Sequence, residues 1–114
     1  MSVVIWHNPR CSKSRATLKL LEERGITPEI RRYIDEPPSE TEIRDALSAL
    51  GLPAIGLVRT GEADFRSLGL TKSSADADLI SAMGNCPKLI ERPVVFSGGQ
   101  ARLGRPPEAV LDIL

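Results

Sequence analysis

The stretch VVIWHNPRCSKSRATLKLLEER, residues 3–24, decides how the fold begins. Its apolar start, Val3–Trp6, is typical of a short buried strand, and leucines recur at helical spacing between residues 16 and 23. Cys11 is therefore predicted where a strand passes into a helix, beside unpaired backbone N–H groups and the positive end of the helix dipole. Both features favour the thiolate, which is the nucleophilic form of cysteine. Arg10, Lys13 and Arg15 add positive charge, so the turn is suited to attack on an oxyanion or a disulfide.

Length and charge indicate one ordinary domain spanning residues 1–114, expected to be a monomer. Fifteen basic and fifteen acidic side chains give zero formal net charge, and aromatic residues make up only 4% of the chain. Neither property favours a partner that is nucleic acid or an anionic membrane surface. No secretory signal is recognisable, and no stretch approaches the ~20 apolar residues of a membrane helix. We therefore expect a cytoplasmic protein with reduced thiols.

Two cysteines, Cys11 and Cys86, lie far apart in the chain and accompany a single histidine. They form neither a disulfide framework nor a set of metal ligands, so no metal site is predicted. Cys86 lies in a loop that ends a predicted helix. A spacer role is the favoured interpretation for it, and a role as resolving thiol is the alternative.

In the rest of the chain, turn residues and hydrophobic periodicity predict further strands and helices. The first helix is expected to bury Ala16, Leu18 and Leu21 and to end near Gly25. A strand over 27–34 is predicted to run parallel to the first. The next helix has a capping box at Ser39 and Glu42, ends at Gly51 and is predicted to bury Ile43, Ala46, Leu47 and Leu50. A broken helical segment over 52–88, best formed over 76–83, precedes a strand over 93–96, a turn over 97–100, a strand over 101–103 and a short helix from Pro106.

This order, βαβ, a helical insertion and then ββα, is that of the thioredoxin-like α/β fold with a mixed four-stranded sheet. In such folds a cis-proline begins the third strand beside the reactive cysteine. The analogy favours a cis Arg92–Pro93 bond, although only ~5–6% of X–Pro bonds in folded proteins are cis. Arg92 would then lie next to Cys11.

Four segments together resemble one known family. They are His7–Cys11, Leu57–Arg59, Glu91–Val95 and Leu103–Glu108, the last followed by residues 110–114. In order and spacing they are similar to the glutaredoxin-linked arsenate reductases, most closely the short bacterial branch; longer members continue past the segment that ends here at Leu114. The resemblance implies reduction of arsenate to arsenite through an adduct on Cys11. It also implies glutathione as co-substrate, glutaredoxin as partner and no bound cofactor.

The resemblance also assigns roles to five further side chains. It implies that Arg59, Arg92 and Arg105 hold the oxygens of the oxyanion and of its adduct, and that His7 and Ser14 tune the cysteine. The chemistry is consistent, because guanidinium groups stay charged and present planar forks to tetrahedral oxyanions. A nucleophilic cysteine with no second one in CxxC spacing also needs an outside thiol for turnover.

Other functions stay open at this point. A thiol oxidoreductase of the same fold could act on glutathione mixed disulfides. A non-enzymatic protein-binding regulator, similar to the related transcriptional-regulator branch, is the other alternative; Ser14, where that branch often carries a second cysteine, counts against a redox-switched regulator. A phosphatase loop is excluded, because it needs an arginine six positions after the cysteine and Thr17 stands there.

Overall fold

Four short strands form the sheet in the computed structural model, which describes residues 2–114. They are β1 (Val3–Trp6), β2 (Glu29–Arg31), β3 (Val94–Ser97) and β4 (Gln100–Leu103), in the order β2-β1-β3-β4. β1 is parallel to β2 and antiparallel to β3, and β3 and β4 form an antiparallel hairpin. The predicted mixed sheet is confirmed, including the parallel pair that requires a crossover.

These strands belong to the first of two compact units, made of residues 2–36 and 92–114. Helix α1 (Ser12–Glu23) joins β1 to β2, and a 3₁₀ helix, Pro107–Ile113, ends the chain. The buried core of the unit draws on the strands, α1 and the 3₁₀ helix: Val3, Ile5, Leu21, Val95, Val110 and Ile113. Burial of these apolar side chains joins the unit's two chain segments into one core.

Three details of this unit differ from the sequence predictions. Strand β2 has three residues rather than the eight of 27–34, because it pairs only with β1 and its Ile30 is 47% exposed. The last helix is 3₁₀ and begins at Pro107 rather than Pro106. In α1 the buried residues are Ser14, Thr17 and Leu21, while Ala16 is exposed. The face of α1 that packs into the protein therefore includes polar residues of its first turns and differs from the apolar face that was predicted.

The second unit, residues 37–91, is helical. Helix α2 (Glu40–Leu50) packs against α4 (Asp76–Asn85). In the chain they are separated by a 3₁₀ helix, Ala54–Leu57, and by the short α3 (Ala63–Ser67). The predicted capping box is confirmed, since the Glu42 N–H donates to Ser39 Oγ at 3.1 Å and the Ser39 N–H donates to Glu42 Oε1 at 3.0 Å. Gly51 ends α2 in the left-handed region, at φ 69°. Leu50 is only partly buried, unlike the other three apolar residues predicted for this helix.

A second 3₁₀ helix, Pro87–Leu89, follows α4. An isolated antiparallel bridge then joins Val58 to Ile90. Within residues 2–114, no helix is long and apolar enough to cross a membrane.

Candidate active site

Cys11 is the N-cap residue of α1, as the sequence predicts. Its backbone is extended, at φ −94° and ψ 124°, and its N–H donates to the Asn8 carbonyl at 3.0 Å. The thiol is partly exposed, and no side chain caps the first turn of the helix. The helix N-terminus can therefore stabilise negative charge on the sulfur of Cys11.

The turn around Cys11 carries basic side chains, and the first turn of α1 contains no acidic residue. Arg15 is held over the turn, because its Nη1 donates to the Pro9 carbonyl at 2.9 Å. The backbone N–H of Arg10 donates to Asn8 Oδ1 at 3.0 Å, which shapes the loop before the cysteine. A reagent that approaches the sulfur therefore meets a positively charged surface.

A buried polar contact joins the two ends of this loop. His7 Nδ1 lies 2.6 Å from Ser14 Oγ, and the Asn8 N–H donates to the same hydroxyl at 3.0 Å. Burial lowers the pKa of His7, and the positive charges of Arg32 and Arg15 lower it further. The imidazole is therefore neutral at neutral pH. His7 and Ser14, to which the family resemblance assigns a tuning role, therefore contact each other and anchor the segment that carries Cys11.

Arg92 and Arg105 lie side by side in the same unit. Arg105 Nη1 donates to the Arg92 carbonyl at 3.2 Å, and both residues precede a cis-proline, Pro93 and Pro106. The cis Arg92–Pro93 bond agrees with the fold analogy. Arg92 Nε is buried, and within residues 2–114 it has no hydrogen-bond acceptor. A buried guanidinium N–H without an acceptor, with a second arginine held on the backbone of the same residue, is suited to binding an anion.

Gly104 sets the position of Arg105, and sequence reasoning missed it. Its N–H donates to the Pro93 carbonyl at 3.0 Å. A Cβ at this position would lie 2.6 Å from Pro93 Cγ and would overlap Thr17 Oγ1 on α1. Only glycine allows so close an approach of β3, α1 and the end of β4. The glycine just before Arg105 was the available signal.

Arg59 lies in the second unit and already has two partners. Its Nη1 donates to Glu62 Oε1 at 3.0 Å, and its Nε lies 3.6 Å from Glu91 Oε1. The three side chains are only 22–30% exposed. Neither glutamate was predicted as a site residue, although Glu62 follows Arg59 by three positions and Glu91 precedes Arg92.

Cys86, also in the second unit, is placed differently from Cys11. Its thiol donates to Asp64 Oδ2 at 3.2 Å. Burial raises the pKa of Cys86, and the hydrogen bond and negative charge of Asp64 raise it further against the opposing effect of Lys88. The group is therefore a protonated thiol, which does not favour a role as resolving nucleophile. Within residues 2–114, no three His, Cys, Asp or Glu side chains come together as metal ligands.

Known proteins are similar to this one along nearly the whole chain. The model of the ArsC family matches residues 6–113. The chain belongs to the ArsC family. One member, the arsenate reductase of Neisseria meningitidis serogroup B, is 46% identical over 114 residues, which cover 98% of this chain and 97% of that protein. Another, the uncharacterized protein YfgD of Escherichia coli K12, is 49% identical over 98% of this chain and 96% of its own length.

A solved structure of the same family agrees with the fold. The arsenate reductase from Vibrio cholerae is 49% identical and superposes with a TM-score of 0.97, covering 100% of this chain and 98% of that one. The likeness confirms the thioredoxin-like α/β fold predicted from the order of strands and helices.

Proposed function

We propose that this protein is an oxidoreductase that reduces arsenate to arsenite through a covalent adduct on Cys11, with glutathione and glutaredoxin as electron donors. The observation that carries the proposal is the partly exposed Cys11 at the N-cap of α1, in a turn with basic side chains. The first turn of α1 has no side-chain cap and no acidic residue. The family supports it, since relatives over nearly the full length are named arsenate reductase.

Arg92 and Arg105 supply the charge that brings arsenate to the thiolate. Arsenate is anionic at neutral pH, so a thiolate alone would repel it. The guanidinium of Arg92, whose buried Nε–H has no acceptor, and that of Arg105, which contacts the Arg92 backbone, neutralise the oxygens and stabilise charge that develops on them during attack. Arg59 is the third proposed ligand, as the family resemblance implies.

Two outside thiols, those of glutathione and glutaredoxin, supply the two electrons of the proposed reaction, and Cys11 is restored. The Cys11 thiolate attacks arsenic and displaces water formed from a protonated arsenate oxygen, and glutathione displaces a second water as its sulfur bonds to the same As(V). A glutaredoxin thiolate then attacks the glutathione sulfur. The electron pair of the As–S bond stays on arsenic, which becomes As(III), and a mixed disulfide forms. Hydrolysis of the remaining Cys11–As bond releases arsenite and restores the thiol.

An outside thiol is needed because the chain offers no resolving partner for Cys11. The other cysteine, Cys86, is held as a protonated thiol by burial and Asp64. Cytoplasm is the proposed location, since glutathione and glutaredoxin keep thiols reduced there. The monomeric state stays a prediction from the sequence.

Arsenate-dependent NADPH oxidation, coupled through glutathione, glutathione reductase and glutaredoxin, tests the proposal. We expect turnover in the wild type and in the matched control Cys86→Ser, and none in Cys11→Ser. Arg92→Ala should raise KM for arsenate at least about tenfold while Cys11 is still alkylated, because a charged hydrogen bond to the substrate is lost.

The opposite result would identify a different activity. If the wild type shows no arsenate turnover although iodoacetamide modifies Cys11 rapidly at neutral pH, the arsenate proposal is wrong. Reduction of glutathione mixed disulfides would then be the activity to assay.

A further inference from the structure

Asn8 makes three hydrogen bonds within the loop that carries Cys11. Its carbonyl accepts from the Cys11 N–H at 3.0 Å, which closes a tight turn over residues 8–11. Its side-chain Oδ1 accepts from the Arg10 N–H at 3.0 Å, and its own N–H donates to Ser14 Oγ at 3.0 Å. All of these residues belong to the first compact unit and form one connected loop.

The hydrogen bond to Oδ1 fixes the orientation of the Asn8 amide. A carbonyl oxygen accepts and an amide nitrogen donates, so only Oδ1 can lie on the Arg10 N–H. The two N–H groups of Nδ2 take no part in the turn. Within residues 2–114 they have no hydrogen-bond partner, and Nδ2 is not sealed from solvent. Asn8 therefore presents two free donors on an amide that is held in place.

The turn brings these donors close to the cysteine. The first and last residues of such a turn, here Asn8 and Cys11, have Cα atoms less than about 7 Å apart. Both residues are partly exposed, so a ligand can reach them from solvent. An oxyanion held at the sulfur of Cys11 therefore lies beside the Asn8 side chain.

The same turn withdraws two backbone donors from any anion at Cys11. The N–H of Arg10 is bonded to Asn8 Oδ1, and the N–H of Cys11 is bonded to the Asn8 carbonyl. A tetrahedral oxyanion has acceptor oxygens on every side, so it needs other donors there. An amide that is already held in place supplies one without reorganisation when the anion binds.

Building on the proposed function, we propose that Nδ2 of Asn8 donates a hydrogen bond to an oxygen of the oxyanion bound at Cys11. The ligand class is a tetrahedral oxyanion such as arsenate or phosphate. The amide is uncharged and gives up no proton, so the bonds made and broken at arsenic stay the same. Asn8 thus adds a neutral donor to the charged arginines of the proposed site.

Protection of Cys11 by inorganic phosphate measures this contact without turnover. Bound phosphate should slow the modification of Cys11 by iodoacetamide, which is uncharged. In Asn8→Ser the hydroxyl can still accept from the Arg10 N–H, as serine does in such turns, but the amide donors are gone. We expect the phosphate concentration for half protection to rise about tenfold, while the modification rate without phosphate stays near its wild-type value.

Asn8→Asp is the second variant, because it has the same shape and keeps an oxygen acceptor for the Arg10 N–H. It replaces the amide donors with a negatively charged oxygen, so half protection should need still more phosphate than in Asn8→Ser. Asn85→Ser is the matched control. It changes the other asparagine of the chain, which is exposed at the end of α4, and it should leave protection unchanged.

Three results would overturn the assignment. In the first, phosphate protects both Asn8 variants at wild-type concentrations. In the second, protection and the modification rate without phosphate fall together in Asn8→Ser, which means that the side chain only shapes the turn. In the third, phosphate does not protect the wild type. Failure of the proposed function is distinguishable, because the wild type would then lack arsenate-dependent NADPH oxidation although phosphate still protects Cys11.

Discussion

The two cysteines show how surroundings decide the chemistry of one side-chain type. Cys11 is the N-cap residue of α1 in a basic turn, and the Cys86 thiol donates a hydrogen bond to Asp64. Burial and the neighbouring Asp64 raise the pKa of Cys86 and favour its thiol form. The difference is a property of a few atoms around each sulfur.

We predict that replacing Asp64 exposes this difference. At neutral pH iodoacetamide should modify Cys11 well before Cys86. In Asp64→Asn the modification of Cys86 should become several-fold faster, because the negative charge that raises its pKa is gone. Mass spectrometry of the alkylated peptides measures both rates. The control Asp76→Asn changes an exposed carboxylate on α4, and equal acceleration in the control would contradict the prediction.

Among the secondary-structure elements, the junction after β4 joins the parts of the first unit. Gly104 contacts Pro93 at the start of β3 and Thr17 on α1, and it is followed directly by Arg105. Its approach depends on the missing Cβ rather than on a special backbone angle. Close packing at Gly104 therefore fixes the backbone position of Arg105, a residue proposed to bind the substrate.

We predict that Gly104→Ala destabilises the protein by about 1–3 kcal/mol, the usual effect of overpacking a tight contact. The added Cβ has to displace Pro93 and Thr17, which are themselves buried. Gly61→Ala is the matched control, because a Cβ there meets nothing within 4 Å. Urea unfolding of both variants gives the difference in the free energy of unfolding. Equal values would show that the junction relaxes without cost.

For the whole molecule, the buried histidine predicts how stability depends on pH. His7 is the one imidazole in the chain, and its folded-state pKa lies below the ordinary value of 6.5. Between these two values the unfolded chain binds more protons than the folded one. The free energy of unfolding therefore falls as the pH is lowered through about 6.5 toward the folded-state pKa.

The comparison with His7→Gln isolates this effect, because carboxylates titrate alike in both proteins. We expect wild-type stability to decline more steeply than that of the variant between about pH 7 and about pH 5. Urea unfolding across the pH range measures the slopes, and the single histidine allows its pKa to be followed by NMR. Parallel slopes, or a pKa above 6.5, would contradict the prediction.

Local chemistry made much of the molecule predictable from the sequence. The strand–turn–helix around Cys11, the capping box at Ser39 and Glu42, and the two-glycine hairpin turn depend on neighbours within a few residues. Gly98 and Gly99 both have positive φ, as this tight hairpin requires. The length of β2 and the 3₁₀ form of the last helix were missed, because pairing and packing with distant segments set them.

The sequence by itself therefore determined the order of elements, the position of Cys11 at a helix start and the family resemblance, since each depends on short-range patterns. Only the tertiary structure decided the approach of Arg105 to Arg92, the fit of Gly104 against Thr17 and the contact of Glu91 with Arg59. The two partners of each contact lie on different segments or turns. Distances and burial between such groups arise only when the chain folds, and they set the charge and pKa on which the proposed chemistry depends.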